Sequence, residues 1–462
     1  MHVTKVLTEK VRKALWFSSA EGMAFGAFVG FGDHYLVAYA VALQTNSLQI
    51  GILCSLPGFL ASLVQLFDYA LVQRLKSRKA VVLIFAMLQG LVLAPVMTLA
   101  LVQGISPGWW LILFVTLYSV FGALIAPAWG SIMAEVVPAS VRGKYFARRG
   151  SFSTLVTIVS FLAGGVFLKF LVSNALWGFA VLFGIALAAR LISWLLLTRL
   201  YEMPRQEQAL ENVKASEFTH SLVSTNLGRY MLFLFAMSFA VNIASPYFTV
   251  YQLRDLKFDY FTFAILETAS SVATVVAITH WGGAADRVGN LRMVRLSGAL
   301  IPLVPLLWLA STSPVYLGVV QVFSGFAWAG FNLCTVNYLY DATTSHNRTR
   351  YLAYFNAGNG VAAGLGALTG GYLAPHLPFF LGYQLLTLLL ISGVLRAAVS
   401  IAFLPHIQEV RKGSTVPAAE LFHIMMGGRP VNRRISHRRF PALHSHEPAT
   451  DKTDRPAAQP RV

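Results

Sequence analysis

Two acidic side chains lie inside long apolar stretches, where charged chemistry is least expected. Asp33 is followed by His34 in "GFGDHYLVAY", and Glu267 lies in "AILETASSVA". In hydrocarbon an ionisable group is costly, and it usually faces a cavity or a charged partner. Each carboxylate could therefore take up and release a proton, or bind a cation. The alternative for Asp33 is a place near an aqueous mouth, or a simple pairing with His34.

Polar side chains that could line a cavity with these carboxylates recur in matching places. Tyr35 and Tyr39 follow Asp33, and Tyr247 and Tyr251 stand 212 positions after them. Phenols and amides hydrogen-bond polar solutes, so we predict a site that binds a solute and a proton. Either tyrosine pair could instead be ordinary packing or interfacial aromatics. The candidate set is Asp33, His34, Tyr35, Tyr39, Asn242, Tyr247, Tyr251 and Glu267.

The composition indicates which elements position these side chains. Of the 462 residues, 56% are hydrophobic and 12% are charged, and the mean hydropathy is +0.62. A soluble domain would have roughly 25% charged residues. Apolar stretches of about 20 residues, enough to cross the bilayer as a helix, occur near residues 17–43, 48–72, 80–103, 108–134, 150–172, 177–198, 230–253, 260–283, 293–311, 314–340, 351–373 and 379–404. We predict an all-α polytopic membrane protein with twelve transmembrane helices.

Basic residues are concentrated in alternate loops. The intervening loops "QTNS", "QGISPG", "STSP" and "APHLPFF" contain no Lys or Arg, and only "RDLKFD" departs from the rule. This positive-inside pattern predicts that both termini are cytoplasmic. It also assigns the net charge of +17 to membrane topology rather than to nucleic-acid binding. Compact loops favour a bacterial inner membrane.

The order of charged and small residues repeats along the chain. The matches at a spacing of 206 are Glu135 with Asp341, Gly164-Gly165 with Gly370-Gly371, and Arg190 with Arg396. Because the matches keep their order through six spans, we predict two six-helix bundles. The predicted division is a first half (1–200), a linker (201–227), a second half (228–405) and a basic cytoplasmic tail (406–462), which we expect to be disordered.

Two six-span repeats with cytoplasmic ends resemble the major facilitator superfamily. The segment "GGAADRVGNLR" at 282–292 resembles the signature loop of this family, whereas its first-half counterpart, "YALVQRLKSRK" at 69–79, is degenerate. "EVVPASVR" and "DATTSHNR" resemble the family's motif of an acidic residue, six residues and an arginine. The resemblance covers about residues 14–405. It implies the fold of the family and leaves the substrate open.

These motifs suggest a set of cytoplasmic ion pairs that form and break as two bundles rock against each other. Such pairs contribute under about 1 kcal/mol each, which suits a reversible latch. The alternative is that they are solvated charges that only set orientation. The predicted latch residues are Arg74, Glu135, Arg142, Gly282, Asp286, Arg287, Gly289, Asp341 and Arg348. Asp68, Arg190 and Arg396 are predicted to be structural intramembrane charges.

The sequence contains no phosphate-binding loop, hydrolase elbow or zinc motif, so we expect no enzymatic activity, cofactor or metal. The resemblance implies a secondary transporter that moves a small organic solute by alternating access. The carboxylates of Asp33 and Glu267 within apolar runs lead us to expect proton coupling through one of them. Sugars, nucleosides, amines and aromatic compounds fit equally. The alternatives are an uncoupled facilitator and, from another class, a non-transporting sensor or assembly partner. The expected partners are the solute, a proton and the lipid bilayer, with the protein as a monomer.

Overall fold

The computed structural model describes residues 2–65, 68–99, 106–137, 142–202, 222, 224–343 and 348–410. Within these ranges the chain is helical, with one isolated β-bridge between Phe380 and Tyr383 and no β-strand. Most of the predicted linker and almost all of the predicted tail lie outside the described residues.

Nine described helices belong to the first half. They are α1 (His2–Phe31), α2 (Leu36–Ala42), α3 (Ser47–Val64), α4 (Asp68–Leu75), α5 (Arg78–Leu91), α6 (Leu93–Thr98), α7 (Pro107–Val136), α8 (Arg142–Val166) and α9 (Ala175–Leu197). A 3-10 turn, Asp33–Tyr35, joins α1 to α2, and a π-helical turn, Phe167–Leu171, follows α8.

Eight described helices belong to the second half. They are α10 (Asn226–Asn242), α11 (Ser245–Val250), α12 (Tyr260–Val288), α13 (Asn290–Leu300), α14 (Leu303–Leu307), α15 (Pro314–Asp341), α16 (Arg348–Leu373) and α17 (Gln384–Phe403). A π-helical turn, Tyr251–Asp255, follows α11, and a 3-10 turn, Leu404–His406, follows α17.

Helical segments long and apolar enough to cross a membrane number ten in the described chain. They are Ser47–Val64, Arg78–Thr98, Pro107–Val136, Tyr145–Leu171, Ala175–Leu197, Asn226–Asp255, Tyr260–Val288, Asn290–Leu307, Pro314–Asp341 and Gln384–His406. The predicted all-helical polytopic class is confirmed. The count of twelve remains a prediction, because the helices at the predicted spans 17–43 and 351–373 are not among the ten.

Local capping fixes where several helices begin. The side chain of Asn46 accepts a hydrogen bond from the backbone N–H of Gln49 at 2.8 Å, and the Gln49 side chain accepts one from the Asn46 N–H at 3.2 Å. This reciprocal box satisfies two N–H groups that the first turn of α3 would leave unpaired. Asp259 caps α12 through the N–H groups of Phe261 and Thr262. The bundle end that carries the basic loops is called here the basic end, and the other is called the opposite end. Both α3 and α12 begin at the opposite end.

Two pairs of long helices make the most extensive described contacts between the halves. α3 contacts α16, and α8 contacts α12. Glycines allow the close approach of α3 and α16, because a Cβ atom on Gly51 would lie 3.0 Å from the Cα atom of Gly371. Within the halves, α1 packs on α8 and α9, and α12 packs on α15. The first helix of the chain, which leads into the turn that contains Asp33, thus packs against two other helices.

Candidate functional site

The first long helix of each half is interrupted at the same place in the repeat. In the first half α1 ends at Phe31 and the turn Asp33–Tyr35 leads into α2. In the second half α10 ends at Asn242 and α11 begins at Ser245. Asp33 and Ser245 are 212 positions apart, the spacing of the tyrosine pairs. Interrupted helices form the solute and ion sites of many membrane proteins, so these breaks are the natural place for a binding site.

Asp33 lies where the packed interior meets accessible space. Its Oδ1 atom accepts a hydrogen bond from the hydroxyl of Tyr118 on α7. Tyr118 is only 6% exposed, whereas Asp33 and the neighbouring His34 are exposed. The ring of His34 packs 4.9 Å from that of Phe161. One oxygen of the carboxylate is therefore anchored on Tyr118, while the residue as a whole keeps an exposed surface.

The tyrosines that follow Asp33 lie in the core. The Tyr35 hydroxyl donates to the carbonyl of Phe161 at 2.5 Å, and the Tyr39 hydroxyl donates to the carbonyl of Val96 at 3.1 Å. Both side chains are fully buried. In this conformation their hydroxyl protons bind backbone carbonyls of α8 and α6 rather than facing a cavity.

The second-half candidates differ in their surroundings. Tyr247 is buried, and its hydroxyl lies 3.2 Å from the carbonyl of Ser47 and 3.4 Å from that of Ala367. It therefore joins α3 of the first half to the second half. Tyr251 is buried and its hydroxyl has no hydrogen-bond partner. The amide of Asn242 donates to the carbonyl of Ser238 at 2.8 Å, within its own helix.

Glu267 lies between two amides that the sequence did not single out. Its Oε1 atom accepts hydrogen bonds from the Nε2 atoms of Gln252 and Gln321, both at 3.1 Å. Gln252 belongs to the π-helical turn after α11 and is fully buried, and its Oε1 atom has no partner. The cluster thus presents a carboxylate and an unpaired carbonyl, which suits a ligand that donates hydrogen bonds. A π-turn, common at functional sites, has no signal in the apolar pattern.

At the basic end, Arg78 connects two carboxylates. Its Nη1 and Nη2 atoms each lie 2.7 Å from a carboxylate oxygen of Glu135, a bidentate pair. The backbone N–H of Arg78 and the hydroxyl of Ser77 donate to Glu202 at 2.8 and 2.7 Å. Glu202 therefore binds the N-terminus of α5, where a negative charge is favourable.

The second half has an equivalent cluster in which a neutral asparagine takes the place of the arginine. Asn290, 212 positions after Arg78, donates its amide to Asp341 at 2.7 Å. The N–H of Leu291 donates to Glu409 at 2.8 Å. Glu409 stands 207 positions after Glu202, so a carboxylate at the N-terminus of the third span belongs to both halves. This spacing was the only signal by which these two glutamates could have been found.

The remaining latch candidates are placed as follows. The described partners of Glu135 and Asp341 lie in the same half as each residue, and not across the halves. Arg74, Asp286 and Arg287 are exposed. Gly289 has φ +103°, a conformation that favours glycine. Gly282 packs beside Leu333, and the side chains of Arg142, Arg348 and Asp68 lie outside the described part of the chain.

The predicted structural arginines are both buried, but only one lies among carboxylates. Arg190 and Arg396 are 1% and 2% exposed. Arg396 donates to Ser392 at 3.1 Å and to the carbonyl of Val241 at 3.3 Å. Arg190 donates to Ser193, which in turn donates to Glu21 at 2.9 Å.

At the opposite end the halves are joined by an ion pair. The Nζ atom of Lys169, after α8, lies 3.1 Å from Oδ2 of Asp259, before α12. The rings of Phe170 and Phe261 pack beside it with centroids 5.8 Å apart. Burial alone would raise the pKa of Asp259, but hydrogen bonds from Thr262 and Lys169 outweigh it and lower the pKa below its ordinary value. The carboxylate is therefore charged, and this end is closed by contacts between the halves.

The chain matches one family model, described as Major Facilitator Superfamily, over residues 23–266 and 230–438. No curated protein matches the sequence. Among solved structures, the nucleoside transporter NupG is similar, with a TM-score of 0.67 at 14% identity, covering 85% of this chain and 98% of that one.

Two further solved structures share the fold. The xylose transporter XylE from E. coli, in an inward-open conformation, has a TM-score of 0.64 at 16% identity, covering 91% of this chain and 100% of that one. A bacterial homologue of the human lysosomal transporter Spinster, inward-facing and unoccupied, has a TM-score of 0.63 at 11% identity, covering 88% and 99%. At these identities the likeness shows the fold alone.

Proposed function

Because the chain belongs to the major facilitator superfamily, a family of secondary transporters, we propose that it couples the movement of a small polar solute to protons through Asp33. The observation that carries the proposal is the position of Asp33 at a helix break, anchored by Tyr118 and exposed beyond it. Its counterpart in the repeat is the uncharged and exposed Ser245. The fold therefore does not require a charge at this place, which favours a specific role.

The second half supplies the candidate solute contacts. Glu267 is held by Gln252 and Gln321, and the unpaired carbonyl of Gln252 can accept a hydrogen bond from a solute hydroxyl. This chemistry supports a polyhydroxylated solute such as a sugar or a nucleoside. A D-xylose–proton symporter and a nucleoside transporter are among the proteins of similar fold.

The proposed cycle uses the closed end described above. With the halves joined through Lys169 and Asp259, solute and proton exchange from the basic end. Separation of these contacts then opens the opposite end, as alternating access requires. The charge pattern of the loops supports cytoplasmic termini in a bacterial inner membrane, and we propose that the monomer is the transporting unit.

The test is uptake of labelled D-xylose and uridine into proteoliposomes. A gradient of one pH unit supplies about 1.4 kcal/mol, which sustains about tenfold accumulation at one proton per solute. In Asp33→Asn we expect accumulation to fall to equilibration, while solute exchange without a gradient continues. Ser245→Ala, the matched position of the second half, should accumulate solute as the wild type does.

Other outcomes point to the other functions. If Asp33→Asn accumulates solute as well as the wild type does, the proposed role of Asp33 is contradicted. Glu267→Gln is then the variant to examine. Wild-type protein that equilibrates solute but never concentrates it is an uncoupled facilitator. Well-folded protein that binds a solute and neither exchanges nor accumulates it supports the sensor.

A further inference from the structure

A partly open cavity of about 190 Å³ lies within the first half. It is bounded by α1, α5, α7, α8 and α9, and among the described residues its lining belongs to the first half alone. Its walls are mostly apolar and include Phe25 and Ile125. Its polar lining consists of Glu21, Gln89, Trp129, Arg149 and Arg190. The cavity is therefore distinct from the accessible space at Asp33 and from the Glu267 cluster.

The polar residues around this cavity have unused hydrogen-bonding capacity. Within the described part of the chain, the Nε and Nη2 atoms of Arg190, the indole Nε1 of Trp129 and the Oε1 of Gln89 are buried without a hydrogen-bond partner. A buried polar group without a partner is destabilising, and more so when it is charged. The residues that line this cavity thus carry three donor nitrogens and one acceptor oxygen without described partners, and this excess of donors favours a ligand that accepts hydrogen bonds and toward which these side chains turn.

The charges of the lining also favour an anion. Glu21 binds Arg149 at 2.6 Å through Oε2 and Ser193 at 2.9 Å through Oε1, so both of its oxygens are occupied. Arg190 reaches Glu21 only through Ser193. Two arginines and one glutamate leave the lining with a positive charge. Asp33 also acts electrostatically on Arg190, but its described bond is to Tyr118.

The geometry of the guanidinium selects the class of anion. The Nε and Nη2 atoms form one edge of the group, with two N–H bonds spaced to match the two oxygens of a carboxylate. The faces of Phe25 and Phe28 lie 5.3 and 5.1 Å from the Arg190 carbon Cζ. They fix the plane of the guanidinium and offer apolar surface beside it.

We propose that this cavity binds a small organic carboxylate, held on the Nε–Nη2 edge of Arg190 with its apolar part against Phe25 and Ile125. An apolar cavity of about 150 Å³ is large enough for benzene, so a carboxylate with a single ring or a short chain fits. The site differs from the proposed solute and proton sites, because its lining contains neither Asp33 nor any residue of the Glu267 cluster, although Arg190 and Asp33 interact electrostatically.

The experiment is isothermal titration calorimetry of the detergent-purified full chain with benzoate and propionate. Benzamide, which has the shape of benzoate without its charge, is the control ligand. We expect at least one carboxylate to bind and benzamide to bind much more weakly. In Arg190→Gln, binding should weaken by about 10- to 100-fold, the effect of losing hydrogen bonds to a charged group.

The repeat provides a matched control. Arg396→Gln removes an equally buried arginine 206 positions later whose Nε is already bonded to Ser392, and it should leave binding unchanged. Ala126→Phe, which fills the cavity without altering a charge, should abolish binding even if Arg190→Gln does not fold. The proposal fails if neither carboxylate binds the wild type, if benzamide binds as well as benzoate, or if Ala126→Phe binds normally. It fails equally if Arg396→Gln weakens binding as much as Arg190→Gln.

Discussion

Glu202 shows how one side chain can serve two elements. Burial alone would raise its pKa, but the hydrogen bonds from Ser77 and from the N–H groups of Arg78 and Lys79 outweigh burial and lower the pKa below 4.5. A carboxyl group with a lowered folded pKa stabilises the protein above its unfolded pKa. That contribution disappears as the pH falls through the folded pKa.

We therefore predict that Glu202→Gln lowers the free energy of unfolding at pH 7 by about 1 kcal/mol, the usual effect of losing a helix cap. The deficit should shrink below pH 4.5, as the wild-type carboxylate is itself protonated. Thermal unfolding in detergent across this pH range measures both effects. Glu409→Gln, at the equivalent cap of α13, should show a similar loss at pH 7. A deficit that is constant with pH would contradict the assignment.

The buried pair of Glu21 and Arg149 makes a second prediction at this scale. The side chains are 5% and 16% exposed, and the guanidinium also lies 4.4 Å from the Trp129 ring. Removing one partner of a buried pair leaves an unpaired charge, which costs about 3–5 kcal/mol. Glu21→Gln should therefore lower the unfolding free energy by that order, whereas Lys169→Gln, from an exposed pair, should change it by under about 1 kcal/mol. Equal effects in a melting experiment would overturn this reading.

Some site residues are visible in the sequence and others are not. Asp33 and Glu267 could be predicted because a carboxylate in an apolar run is rare. Tyr118, Gln252 and Gln321 could not, because phenols and amides are tolerated in membrane helices and only their convergence distinguishes them.

At the scale of helices, two adjacent glycines have separate roles. A Cβ atom on Gly164 would lie 2.7 Å from the ring of Tyr35, in the same half. A Cβ atom on Gly165 would lie 2.7 Å from the Cβ of Ala264, in the other half. In the sequence both glycines are identified only as part of the repeat, because the helix that each one faces depends on the rotation of α8 and needs the structure.

We predict that Gly165→Ala disfavours the closed opposite end by about 1–3 kcal/mol, the usual effect of overpacking. Spin labels at Ser173 and Lys257, on either side of this end, should then report longer distances than in the wild type. Gly164→Ala should instead lower the melting temperature and leave the label distance unchanged. If the two variants behave alike, the division of roles is wrong.

The helix break in α1 is the fold feature that sequence patterns missed. The predicted span 17–43 is continuous, because its apolar residues continue through the turn. The structure ends α1 at Phe31 and resumes the helix at Leu36. Gly32 is a weak signal alone, and the break becomes significant only when its repeat at Ser245 is seen.

At the scale of the whole molecule, the contacts of the opposite end hold one of the two states of the proposed cycle. The side chains of Lys169 and Asp259 are 33% and 41% exposed, so their ion pair contributes under about 1 kcal/mol and is screened by salt. We predict that Lys169→Ala shifts the population toward a state open at this end by up to about fivefold. The distance between spin labels at Ser173 and Lys257 measures this shift. High salt should produce part of the same shift in the wild type, because it screens the ion pair. A distance distribution unaffected by either change would contradict a gating role.

Asp259 divides its two oxygens between these tasks. Oδ1 accepts both N–H groups at the start of α12, while Oδ2 meets Lys169. Losing the lysine therefore leaves the helix cap in place, and α12 does not fray when the two halves separate. In the proposed cycle α12 therefore moves with its first turn intact, and the reverse movement needs no refolding of that turn. The helix content should then stay constant during opening and closing. No helical turn has to form again, so helix formation should not delay either step.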